Sequence, residues 1–134
     1  MDMSTTSITT FGEFELLPEI DGKRELVKGE IILMPSPELA HSWIAKQILL
    51  LFLARLDKTR VWPDHTGYRL ADGWIEPEVS VAWPAQRRDE KYFLGSPMIA
   101  VEILSPGEEI DSKLTLYFLD GAVEVWVVGP NERQ

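Results

Sequence analysis

Glu102 is a residue whose surroundings conflict with its chemistry. It is flanked by Met98, Ile99, Ala100, Val101, Ile103 and Leu104. A run that is apolar on both faces predicts a central strand covered on both sides. A carboxylate buried there alone is costly unless it is paired, protonated or bound to a metal. An ion pair with Arg or Lys, or an acid reaching water at the strand end, also satisfies that requirement. Glu78 is the second candidate. In the segment 75–83, Glu76, Glu78 and Ser80 fall on one face and Ile75, Pro77, Val79, Val81 and Trp83 on the other. If strands 75–83 and 98–104 are neighbours, Glu78 and Glu102 converge, and a divalent cation relieves the repulsion between two carboxylates. Otherwise the 76/78/80 face is simply solvated.

Lys113 is the third candidate. It flanks a helical stripe of Ile110, Leu114, Tyr117 and Phe118, from which it either points toward the sheet or snorkels to water. Glu30 follows Gly29 in a tight hairpin. His41 lies in the first turn of a long helix, on the face of Ile44, Ala45 and Ile48, where a lone histidine is ordinarily a satisfied interior residue.

These side chains need elements to hold them. Thr10 and Glu13 have capping-box spacing, which predicts a short helix over 11–17 ended by Pro18. RELVKGEIILMP reads as strands 24–28 and 30–34 joined at Gly29. A long helix is expected from about Pro37 to Leu56, capped by Ser36, with a stripe of Leu39, Trp43, Ile44, Ile48, Leu51 and Phe52. Short strands near 60–63 and 66–70 precede a DG turn at 72–73 and a strand over 74–83. The polar stretch 84–97 reads as a mobile loop. After strand 98–104, Ser105 and Glu108 repeat the capping pattern and predict a helix to about Leu119, then a last strand over 123–128. Trp43, Trp62, Trp74, Trp83 and Trp126 are mostly core candidates, Trp74 being the one placed for exposure. The order is α/β in character, a mixed sheet flanked by helices behind an N-terminal hairpin.

Composition limits the chemistry further. The chain has 134 residues, no cysteine and two histidines, so thiolate sites are excluded and any metal rests on oxygen ligands. Residues 1–9 read as a frayed N-terminus and 10–134 as a single domain. The start is neither basic nor apolar and the longest apolar run is short, which points to a cytoplasmic protein with no membrane role. Thirteen Lys and Arg against 22 Asp and Glu give a net charge of −9, which opposes coating a nucleic acid by charge alone. Twelve of those acids lie after residue 67, in the half that carries Glu78 and Glu102. There is no phosphate-binding loop, no dinucleotide fingerprint and no nucleophile elbow.

Taken together, ELVKGEIILMPSPELAH, the long helix, VWPDHTGYRLADGWIEPEVSVAW, IAVEILSP and KLTLYFLDGAVEVWVV resemble the Uma-type family of putative restriction endonucleases, in the PD-(D/E)xK nuclease superfamily. The resemblance runs from about residue 10 to 130. It implies a restriction endonuclease-like fold, a Mg²⁺- or Mn²⁺-dependent phosphodiesterase site, DNA as substrate and a homodimer. By position, Glu78 stands at the aspartate of the family's Pro-Asp pair and Glu102 at the second metal-binding acid. Lys113 stands at a helix lysine that replaces the strand lysine. Glu30 and His41 match recurrent positions near the first hairpin and helix. Pro77–Glu78 is one methylene longer than Pro-Asp, and Leu104 fills the lysine place of Glu-x-Lys. Relatives continue into at least one more strand. The rival reading is a nuclease fold with a degraded site acting in protein interaction. A two-carboxylate glycoside hydrolase using Trp62, Trp74 and Trp83 is a third reading, which the order of elements does not recommend.

Overall fold

The computed structural model describes residues 9–129. The segments 1–8 and 130–134, and with them nearly all of the expected frayed N-terminus, lie outside the described residues. Thr9, at the edge of that segment, is tied down: its amide donates to the Gly29 carbonyl at 3.0 Å. Helix α1 (Phe11–Glu15) starts as its spacing predicts, with the Glu13 amide donating to Thr10 Oγ1 and the Thr10 amide to Glu13 Oε1.

Mixed α/β architecture is observed, with the strands divided between two sheets. Strands β1 (Lys23–Val27) and β2 (Glu30–Met34) form the expected hairpin. With β5 (Gly73–Ile75), β4 (Tyr68–Leu70) and β7 (Phe93–Leu94) they make one sheet in the order β2-β1-β5-β4-β7. The second sheet runs β3 (Val61–Trp62), β6 (Val79–Val81), β8 (Ile99–Ile103), β9 (Glu124–Val128). Each sheet is mixed, with one parallel pair, β4–β7 and β8–β9. The expected single strand over 74–83 is therefore two strands in different sheets. Pro77 has no amide to donate and divides them, so residues 76–78 carry the chain from one sheet to the other.

Helix α2 (Leu39–Arg55) packs on the second sheet, and helix α3 (Asp111–Leu119) packs between the two sheets. In β8, Val101 and Ile103 join a core with Phe52, Ile44, Ala45 and Ile48 of α2. The alternate residue Ala100 joins a second core with Leu116 and Tyr117 of α3 and Tyr68 and Ile75 of the first sheet. Glu102, two residues on from Ala100, faces that second core by the period of two.

Several boundaries differ from expectation for local reasons. Helix α2 begins at Leu39 with Glu38 as an unbonded cap, not at Pro37 with Ser36 as cap, because Pro35 and Pro37 hold the preceding chain extended. Its buried face is Ile44, Ala45, Ile48, Leu49, Phe52 and Leu53, so Leu39, Trp43 and Leu51 of the expected stripe are exposed. Helix α3 begins at Asp111, since Gly107 adopts φ +81° and makes Ser105–Glu108 a turn. Its buried residues are Lys113, Leu116 and Tyr117, while Phe118 is half exposed. The 84–97 stretch contributes β7 and is laced by Gln86 Nε2, which donates to the carbonyls of Leu94, Gly95 and Ser96. Trp43, Trp83 and Trp126 are exposed rather than core.

Candidate functional site

The crossing segment 76–78 places the site. On one side it meets β1: the Glu76 amide donates to Glu25 Oε2 at 2.8 Å, and Lys23 Nζ donates to the Glu76 carbonyl at 2.7 Å. On the other it meets β8: the Glu78 amide donates to the Val101 carbonyl at 3.0 Å, and the Ile103 amide to Glu78 Oε1 at 2.6 Å. Strands β6 and β8 are antiparallel neighbours, as convergence of Glu78 and Glu102 requires.

Two lysines bridge four carboxylates here. Lys113 Nζ lies 2.7 Å from Glu25 Oε1 and 2.9 Å from Glu102 Oε1. The Tyr117 hydroxyl donates to the remaining Glu102 oxygen at 2.5 Å. Glu25, Glu102, Lys113 and Tyr117 are all buried. Lys23 Nζ forms the second bridge, to Glu78 Oε2 and, at 3.0 Å, to Asp64 Oδ1. This pair borders a cavity of about 610 Å³. Lys23, His41, Lys46, Asp64, Glu78 and Glu108 are among its lining residues.

Burial and charge act in opposite directions across this cluster. Burial, then the charge of Glu102, raises Glu78 to about 7; Lys23 and the Ile103 amide oppose this without cancelling it. Burial likewise raises Glu25 against the pull of Lys113. For both lysines, burial favours the neutral amine but is outweighed by the surrounding carboxylates. Lys23 is held charged above the ordinary range chiefly by Glu78, and Lys113 chiefly by Glu102. Burial, reinforced by Glu102, raises Tyr117, so its hydroxyl stays a donor.

Of the five residues singled out from the sequence, Glu102 and Lys113 pair directly, and Glu78 lies near enough for the charge of Glu102 to act on it. Glu78 is at the cavity wall, and Glu102 and Lys113 pair with each other in the interior. His41 lines the same cavity, with Nε2 3.0 Å from the Leu104 carbonyl. Glu30 does not join them: it is exposed, paired with Val27 at the turn of the hairpin. Glu25, Lys23 and Asp64 were not anticipated. Glu25 carried the signal that exposed Glu102, an acid beside apolar residues, Leu26 and Val27, in a short strand. Lys23 and Asp64 carried none, because only the tertiary fold joins β1 to the turn before β4.

The donors suit a hard cation in kind. Two carboxylate oxygens and one carbonyl oxygen, from Asp64, Glu78 and Glu76, converge on the Lys23 ammonium. Among the described residues, no three or more acidic, histidine or cysteine side chains are grouped to hold a metal ion. Also among the described residues, no helix is long and apolar enough to cross a membrane.

A family model described as "Uma2: Putative restriction endonuclease" matches residues 11–134. Among solved structures, the chain is similar to one described as a putative nuclease belonging to DUF820 from Anabaena variabilis ATCC 29413. The two are 25% identical, with a TM-score of 0.77 over 88% of this chain and 72% of that one. No curated protein matches.

Proposed function

The chain belongs to the Uma2 family of putative restriction endonucleases, and from that premise we propose that it is a Mg²⁺- or Mn²⁺-dependent endonuclease hydrolysing phosphodiester bonds of DNA as a homodimer. The observation that supports this reading best is the pair of acid–lysine bridges, Glu78 with Lys23 and Glu102 with Lys113, the first of them bordering a cavity of about 610 Å³. Glu78 is the cavity-facing ligand, helped by Asp64 and the Glu76 carbonyl, and Glu102 is the acid behind it. A bound divalent cation would supply an acidified water and neutralise charge on the scissile phosphate.

The remaining tasks fall to the chain itself. Lys113 serves as a positioning residue, holding the Glu102 and Glu25 carboxylates in place from beneath. Tyr117 fixes the orientation of the Glu102 carboxylate. Lys23 and Lys46 are the cavity's cations and meet the phosphate backbone. His41, anchored on Leu104, shapes the wall beside Glu78.

One observation favours a second reading, a degraded nuclease fold acting in protein interaction. Every site carboxylate already has a lysine partner. Nicking of supercoiled DNA in Mg²⁺ or Mn²⁺ separates the two. The nuclease reading expects cleavage by the native chain and a loss of about 100-fold or more in Glu102→Gln and Glu78→Ala. Retained nicking in Glu102→Gln overturns the site assignment. A native chain inert with both metals overturns the enzyme and leaves the interaction module.

A further inference from the structure

Lys23 and Lys113 bridge acids in the same way but sit in different surroundings. Lys113 is sealed between β1, β8 and Tyr117. Lys23 ends at the wall of the cavity, on a flexible four-carbon stem. Its ammonium has three protons and faces three oxygens, from Asp64, the Glu76 carbonyl and Glu78.

Two of those oxygens are fixed by bonds that do not involve Lys23. The other Glu78 oxygen accepts from the Ile103 amide, and the Glu76 backbone is held through its own amide by Glu25. Removing the ammonium therefore leaves an oxygen cradle in place. Two carboxylates and a carbonyl around one point are the donors a hard divalent ion takes. Four carboxylates, Glu25, Asp64, Glu78 and Glu102, here face two ammonium groups, Lys23 and Lys113.

We infer that the Lys23 ammonium holds the position of the divalent cation, and that a cation enters by displacing it, turning Lys23 outward into the cavity. The inference rests on the metal-dependent reading above and adds to it a built-in competitor and a third segment, the turn carrying Asp64. Metal affinity is then set by the exchange of one cation for another rather than by filling an open site.

Calorimetric titration of the full-length protein with Mn²⁺ alone reads this without reference to cleavage. Lys23→Met keeps the stem and removes the charge, and should bind Mn²⁺ at least about tenfold tighter than the native chain. Adding Glu78→Gln should abolish that gain. Equal or weaker binding by Lys23→Met overturns the exchange. Should that variant not fold, the native protein serves. Amine labelling read by mass spectrometry should rise several-fold at Lys23 on adding Mn²⁺ and stay constant at Lys91. Unchanged or reduced labelling at Lys23 overturns the inference. Tighter binding by Lys23→Met in a chain that never cuts DNA sinks the nuclease reading and leaves the exchange standing. DNA cleavage without tighter binding does the reverse.

Discussion

Glu78 is a carboxylate under two opposed demands, and its titration exposes them. It faces a lysine and an amide that favour the ionised form, yet burial and Glu102 raise it to about 7 from an ordinary 4.5. Between those values the folded protein holds more protons at this site than the unfolded chain, so the site's contribution to stability falls as pH rises from 4.5 to 7. The metal-free protein should lose ground to Glu78→Gln across that window, by up to about 3 kcal/mol, in paired thermal melts. A difference between the two that is flat or rises with pH refutes this balance. The same physics decides which site residues were legible. Glu102 was readable because an acid in a run of apolar residues has few explanations. Glu25 was equally readable, but the adjoining hairpin turn drew attention to Glu30, which faces solvent. Lys113 was readable as a stripe-flanking cation, although the buried face of α3 runs through it rather than beside it. The Lys23–Asp64 pair joins residues 41 apart in sequence, and no local pattern encodes that contact.

At the scale of elements, the site depends on how closely the first sheet packs against the crossing segment. Gly73 opens β5 and pairs with Val27 of β1 and Leu70 of β4. A Cβ there would lie 2.0 Å from the Leu26 carbonyl oxygen, a backbone atom that cannot step aside, and 3.3 Å from Leu116 of α3. Gly73→Ala should therefore cost about 3 kcal/mol or more by denaturant unfolding, at or beyond the top of the usual overpacking penalty. A loss under about 1 kcal/mol would mean that β1 and β5 separate readily and that the Glu25–Glu76 contact is not rigid. The DG turn marks this corner in the sequence, but the sheet change that begins three residues later, at 76–78, does not stand out. Valine and isoleucine on both sides of Pro77 read as one strand. The missing amide at Pro77 is the one local sign of the break. The hairpin, both long helices and the last two strands were legible because each is long or strongly periodic. The 105–110 turn was not, because capping-box spacing also fits a turn that a glycine then closes.

For the whole molecule, the acidity and the distribution of apolar surface bear on the same question. A net charge of −9 and a cavity whose lining holds Lys23 and Lys46 beside Glu38, Asp64, Glu78 and Glu108 give a single copy of the chain little basic surface there for a duplex. Meanwhile Leu39, Trp43, Leu50 and Leu51 of α2 are exposed. So are Leu119 at the end of α3, Val123 just before β9, and Trp126 and Val127 of β9. Phe52 of α2 packs edge-to-face on Trp126 at 5.1 Å, which ties α2 to β9. Strand β9 pairs with β8 alone, so one of its edges is open among the described residues. Exposed apolar surface beside an open strand edge favours self-association. If the chain is the proposed homodimer, a second copy seated at that edge would cover part of this surface and add its own cations to the weak basic surface of the first. Sedimentation equilibrium at micromolar concentration should therefore give a dimer for the native chain. Val127→Glu and Leu119→Glu should give monomers whose unfolding free energy lies within about 1 kcal/mol of the native protein, since neither residue is in a core. If the native chain is a monomer, or if both variants stay dimeric, this face is not the interface.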